Sequence, residues 1–388
     1  MALCWWFCGR SVDSSIPYYI PEPNSSADWK WPLVHVLKTR FMQEQGNLTE
    51  LAMARFALFR TFCLPTIQEQ TTQQFIWIIK TDPGLSEPVL RSMIEELEPY
   101  PNFFLVASNV NFRVNENFPG GWRDGAETGD LSRSRVYTGN RTLLENAMAL
   151  HHRSDPYPIL ETRLDADDGL HVQFLEAVQA KAMQSFSKNS GSSAPKWLYW
   201  CSRRHIEWHF AEQPLGSESI WKQITTYGAV AGIQHEKLCI TPGFTVGFNI
   251  GVAESEVPIY AHDKVVTSVS STPKEHACGL ERTADCLQFI EDFVFEAIRS
   301  RSPTSAGMLR VDFAPKEIAT DPWLFYAFLN MIHAKFGITQ QRLVWMNRYL
   351  SDHLIDIARD NLRGQCTTGH SCKVRPLYEV SFPISTSP

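Results

Sequence analysis

The sequence has no apolar run that could cross a bilayer. About 18 to 20 consecutive apolar residues are needed, and the longest candidates, Met1–Cys8 and Phe56–Leu64, are short or interrupted. No transmembrane segment is therefore expected. The apolar start has no basic segment before it and meets Arg10 almost at once, which makes it a poor signal peptide. Basic excess is also missing: 36 Lys and Arg stand against 42 Asp and Glu, a formal net charge of -6. Without clustered cations the chain lacks the electrostatic footprint of a nucleic-acid binder. Its nine cysteines contain no CxxC pair, which removes the strongest zinc and thioredoxin-like signals. A glycine-rich phosphate loop of the GxxxxGK type is absent as well, and so is any internal repeat.

What is present is ordinary globular material, 44% hydrophobic and 20% charged over 388 residues, enough for one large domain or two smaller ones. Residues 1–30, with Pro17, Pro21 and Pro23, read as an irregular lead-in. From Trp31 the pattern alternates. Apolar runs at Trp31–Phe41, Phe75–Ile79, Phe103–Ala107 and Tyr157–Leu164 read as buried strands. Helical patterns lie between them at Glu50–Leu64, with Thr49 as its N-cap and Pro65 as its stop, then at Ser86–Leu97 and Leu143–His151; Leu170–Ala182 follows. Strand alternating with helix predicts an α/β fold: a Rossmann-like mixed, mainly parallel sheet flanked by helices. The stretch Asn109–Thr138 reads as a long functional loop and Lys188–Pro195 as a surface linker. Past the linker the character changes to antiparallel strands at Trp197–Phe210 and Ala229–Gly251, with helices returning near Ala284 and Trp323. We therefore expect a nucleotide-binding half over 31–190, and an elaborated C-terminal half over 191–388 that completes the same domain and shapes an acceptor site.

The chemistry concentrates at Asp165-Ala166-Asp167-Asp168, where the apolar strand Tyr157–Leu164 delivers three carboxylates onto the turn at its carboxyl end. Open α/β sheets place ligands there. Carboxylate oxygens suit a hard cation, Mn²⁺ or Mg²⁺, held against a diphosphate by Asp165, Asp167 and Asp168. Helix capping by Asp167 or Asp168 is the plainer alternative. A calcium loop fails because Gly169 falls at its fifth position and a strand precedes it. Asp82 ends the second strand, where a carboxylate can accept from a base N–H or merely form a turn. Lys38, Thr39 and Arg40 are placed to meet base or ribose, and Arg163 to meet the diphosphate. His262 could complete the metal shell or be structural. Between Asp285 and Ser300 the apolar residues Leu287, Ile290, Val294 and Ile298 mark one helical face, bordered by Glu291 with Asp292 opposite. Either carboxylate is a candidate base or a surface charge. Glu207 and His209, on a strand with Trp200 and Trp208 near by, could face an acceptor sugar, although core packing explains the tryptophans as well.

Cys63, Cys201 and Cys239 read as buried thiols, whereas Cys278/Cys286 and Cys366/Cys372 are spaced as loops that could close as disulfides in an oxidising lumen. Sequons at Asn24, Asn47 and Asn140 fit a secretory or Golgi lumen; unused, they leave a cytoplasmic chain equally open.

Several of these segments together resemble the rhamnosyltransferase family of GT-A-like glycosyltransferases. They are Arg55–Pro65, Phe75–Trp77 with Asp82, Thr162–Asp168 and Arg301–Met308. The resemblance implies a GT-A fold, a nucleotide-sugar donor, a divalent metal at the acidic turn and a carbohydrate or glycoconjugate acceptor. It favours direct displacement with inversion, although a retaining enzyme would need no base and the sequence does not decide between the two. The family name suggests rhamnose, but no residue here selects that sugar. Two other classes share parts of the pattern: a carbohydrate-binding protein that has lost turnover, and a metal-dependent nucleotidyltransferase or phosphohydrolase.

Overall fold

The computed structural model describes residues 29–43, 45–108, 134–153, 156–186, 194–211, 226–236, 238–253, 256–304 and 322–367. The lead-in up to residue 28 with Asn24, nearly all of the loop from Asn109, the linker core, Ser305–Met308 and the Cys366/Cys372 pairing lie outside them.

The alternating N-terminal pattern builds a sheet of eight strands. Its members are β1 (Val34–Phe41), β2 (Ile76–Thr81), β3 (Phe103–Ala107), β4 (Arg135–Val136), β5 (Ile159–Arg163), β7 (Trp197–Cys201), β10 (Phe244–Phe248) and β11 (Leu287–Phe289). They lie in the order β11-β7-β10-β5-β1-β2-β3-β4. Pairs β5–β1, β1–β2, β2–β3 and β11–β7 are parallel, while β10 and β4 run against their neighbours. The sheet is therefore mixed and mainly parallel, as expected. Every residue of β2, β3, β7 and β10 is buried, the signature of strands covered on both faces. A smaller sheet, β6 (Gly169–Leu170), β12 (Ala297–Arg301), β8 (Arg204–His209) and β9 (Ala229–Gln234), has the order β6-β12-β8-β9.

Three local readings are corrected. Pro65 does not stop the first helix. Helix α1 (Thr49–Leu58) widens into a π turn (Phe59–Cys63) and continues as α2 (Leu64–Gln68). Proline clashes with the carbonyl four residues back; in the wider turn the Leu64 N–H reaches instead to Phe59 O. Thr49 does not cap the helix either. Asp360, on the C-terminal helix α9 (Leu354–Thr367), accepts from the Glu50 and Leu51 amides at 3.0 and 3.4 Å. The helix predicted near Ala284–Ser300 is absent: Leu287–Phe289 is β11, Ala297–Arg301 is β12, and Glu291 and Asp292 sit in the bend between them. Two short strands and a bend had mimicked a helical period.

The remaining helices are α3 (Glu87–Leu97), α4 (Arg141–Arg153), α5 (Phe174–Phe186), α6 (Val265–Ser270), α7 (Pro322–Phe336) and α8 (Gln340–Asp352). Cys201 and Cys239 are not thiols but a disulfide, and Cys278 is bonded to Cys286 as its spacing allowed. Cys63 is free and buried.

Candidate active site at the acidic turn

The acidic turn joins β5 to β6. Its first anchor is Leu164, whose N–H donates to Lys38 O at 3.0 Å and extends the β1–β5 ladder past the strand end. Asp168 N donates to Asp165 O at 3.1 Å and closes the turn. At its far end Gly169 is hemmed in: a Cβ there would lie 2.7 Å from Thr66 Cγ2, 2.8 Å from Phe62 O and 2.9 Å from Ile298 Cγ2. The π turn and α2 therefore press directly on the exit of the acidic turn, and only glycine fits.

The three carboxylates are held differently. Buried Asp168 accepts from Ser300 N at 2.9 Å and lies 3.7 Å from Arg299 Nε. It anchors the turn to β12. Asp167 accepts from Ser300 Oγ at 3.3 Å, and Asp165 accepts a hydrogen bond from the Thr241 side chain. Burial pushes all three pKa values up, and at Asp167 and Asp168 the neighbouring carboxylates push further. Against this stand Arg299, Arg40 and Arg163 at Asp165, and Arg55 and Arg299 at Asp167. Arg55 is itself fixed by Gln45 Oε1 at 2.7 Å and Thr304 O at 3.1 Å. The result is a desolvated acidic turn ringed by guanidinium groups.

Other residues flagged in the sequence fall at varying distances from this centre. Arg40 is the penultimate residue of β1 and Arg163 the last of β5, and Arg163 also lies over the Phe244 ring at 5.8 Å. His262 precedes α6 and is half-buried; burial lowers its pKa, Asp263 opposes that, and Arg299 and Arg163 lower it further. It thus borders the same two arginines. Asp82 follows β2 and accepts from Gly84 N at 2.7 Å, forming a turn packed against Gly46. Thr39 is fully buried and its hydroxyl accepts from Trp77 Nε1 at 2.9 Å, so it serves the core. Lys38 is not at the strand end but inside β1, paired with buried Glu161 at 2.9 Å; Glu161 also meets His151 Nε2 at 2.6 Å. Glu291 pairs with Arg203, and Asp292 with Lys181 at 3.1 Å, both as exposed surface ion pairs. Trp200 and Trp208 are fully buried, their indoles donating to Gln288 Oε1 and Tyr227 O, so neither presents a face to a sugar.

Sequence reasoning missed Arg299, Ser300 and Thr241 altogether. They reach the turn only through strand pairing of the small sheet and the loop before β10, which no local pattern announces. Among the described residues, no group of three His, Cys, Asp or Glu side chains is arranged to hold a metal ion, and no helix is long and apolar enough to cross a membrane.

Residues 48–112 match the family described as "Putative rhamnosyl transferase". No curated protein matches the chain. Among solved structures, it is similar to TarS 1-349 of S. aureus in complex with UDP-GlcNAc, at 12% identity over 89% of this chain and 76% of that one, with a TM-score of 0.29. It is also similar to TarS 1-349 in complex with UDP, at 9% identity over 86% and 80%, with a TM-score of 0.23. Scores this low carry no argument about fold or chemistry. The matched segment takes in α1, β2 and β3, and with them the π turn and α2 that press on the exit of the acidic turn.

Proposed function

We propose that the chain transfers a sugar from a nucleoside-diphosphate donor to a hydroxyl acceptor, with the diphosphate bound at the acidic turn. The observation that carries this is the turn itself. Desolvated carboxylates stand at the carboxyl edge of β5 and β1, beside Arg40, Arg163 and Arg299. The guanidinium groups supply what a departing diphosphate needs, fixed positive charge at the atoms where negative charge develops.

A divalent cation would relieve the burial and mutual repulsion of these carboxylates beyond what the surrounding guanidinium groups offset. Asp165 and Asp167 would hold it, with Mn²⁺ or Mg²⁺ favoured by an all-oxygen site; Asp168 is already used by Ser300. When bound, such an ion neutralises charge on the diphosphate. His262, next to Arg163 and Arg299, would contact the phosphates or the ion. Asp82, in the turn after β2, would meet the base. Rhamnose is the sugar we would test first, on the family match alone. The buried Trp200 and Trp208 offer nothing to the carbohydrate-binding alternative, which would have to use the exposed Trp323 and Trp345 instead.

The test is nucleoside-diphosphate release from a panel of nucleotide sugars, dTDP-rhamnose included, with Mn²⁺ or with EDTA. Turnover should need the cation and fall by at least ~100-fold in Asp165→Asn/Asp167→Asn, the range for loss of a main electrostatic stabiliser. Release unchanged in that variant would sink the site, and full activity in EDTA would sink the metal.

A further inference from the structure

The small sheet carries a second polar cluster that the acidic turn does not use. Side chains two apart on a strand share a face, so His205, Glu207 and His209 of β8 line up together. The parallel register sets Arg299 opposite Glu207 and Arg301 opposite His209. Arg301 grips Glu207 Oε1 with Nε at 2.8 Å and Nη2 at 2.6 Å. His209 Nε2 lies 3.1 Å from Glu207 Oε2, and His205 Nε2 lies 3.5 Å from Oε1.

Two imidazole nitrogens in this cluster, His205 Nδ1 and His209 Nδ1, are buried without a hydrogen-bond partner, while His205 Nε2 is turned toward Glu207. Such atoms are costly to leave unpaired, and each calls for an explanation, a catalytic role among them. The cluster also adjoins the acidic turn. Ser300, between the two arginines on β12, holds Asp168 and Asp167, and Arg299 itself lies 3.7 Å from Asp168.

On the glycosyl-transfer reading above, we propose that His209 is the general base of the reaction, and that His205 and His209 together hold the acceptor hydroxyl. Glu207 accepts from His209 Nε2–H and so fixes the tautomer, which leaves the Nδ1 lone pair to take a proton. As the acceptor oxygen bonds to the anomeric carbon, its proton passes to Nδ1. The bond from that carbon to the diphosphate oxygen breaks, and the diphosphate leaves with the electron pair. His205, its Nε2 turned toward Glu207, offers its Nδ1 to the same hydroxyl. Glu207 is not the base: burial alone would raise its pKa, but the two imidazoles and the Arg301 guanidinium hold it well below the usual carboxylate range. It is a positioning residue. Side-chain exposures of 13% at Glu207, 19% at Arg299 and 22% at Arg301 leave the cluster open at its rim.

The test uses whichever donor of the panel is turned over, with water as acceptor. His209→Ala should bind the nucleoside diphosphate as the wild type does, lose at least ~100-fold in turnover, as removal of a general base does, and regain several-fold with added imidazole. His209→Gln, which keeps a donor to Glu207 but has no basic nitrogen, should be equally slow and covers the case in which the alanine variant does not fold. Turnover unchanged in either variant, or a loss that imidazole does not restore despite intact nucleotide binding, would overturn the base assignment alone. A wild-type protein that releases nucleotide from no donor overturns both this and the transferase reading.

Discussion

His35 sits fully buried in β1 and starts an ordered chain of hydrogen bonds across the sheet. The Gln179 amide nitrogen donates both to Gln74 O at 2.9 Å and to His35 Nδ1 at 3.1 Å. That leaves the proton on His35 Nε2, 2.8 Å from Thr162 Oγ1; Thr162 lies 2.6 Å from Thr245 Oγ1, which donates to Gly243 O at 3.1 Å. Burial lowers the His35 pKa to about 3. The unfolded chain therefore binds this proton first, near its ordinary value. The stability His35 contributes is intact above about pH 6.5 and is lost as pH falls toward 3, by up to ~1.4 kcal/mol per pH unit. Urea melts at pH 7 and pH 4.5 should show this fall, and His35→Gln should flatten it. Lys38 makes the companion case. Removing it leaves Glu161 charged and buried beside His151, so Lys38→Ala should cost about 3–5 kcal/mol by the same melts. None of this was legible in sequence, where His35 was one apolar-strand residue among many and Lys38 looked like a strand-end cation.

At the scale of elements, the acidic turn depends on what presses against it. Gly169→Ala would drive a methyl group into Phe62 O and Thr66 Cγ2. It should destabilise by about 1–3 kcal/mol and weaken nucleoside-diphosphate binding, read by calorimetry; wild-type affinity would mean that the packing does not set the turn. The disulfide Cys201–Cys239 acts from another side, fixing the loop that carries Thr241 to Asp165. It closes a sequence separation of 38 residues, for which chain entropy gives about 4 kcal/mol. Cys239→Ser should lower the melting temperature and the donor affinity together. The sequence made the N-terminal strands and the acidic turn legible, because buried runs of Ile, Val, Phe and Trp end in unmistakable punctuation. It misread Ala284–Ser300, because Leu287, Ile290, Val294 and Ile298 fall at helical spacing by coincidence across a bend. It offered Glu207 and His209 as acceptor-facing residues but not His205 or the arginines that complete their face, which depend on β12 arriving alongside.

In the whole molecule, the two halves read from the sequence are interleaved. Strands β7, β10 and β11 complete the sheet begun by β1 to β5, while Asp360 caps α1 and Asn361 Nδ2 donates to Pro303 O at 2.7 Å. Asp360→Ala should therefore loosen the N-terminal helix from the far end of the chain, by about 0.5–2 kcal/mol; hydrogen exchange at Glu50 and Leu51 would report it.

The strand order also dictates a timetable. As the chain is made, β7 emerges before β10, yet it can join the sheet only through β10, which lies between it and β5. Until residues 244–248 arrive, β5 and β7 each present an unpaired edge, that of β7 almost wholly aromatic and apolar, the kind of surface on which chains aggregate. The interval between Cys201 and Phe244 is thus when the nascent protein is most exposed, and when a chaperone would have most to shield.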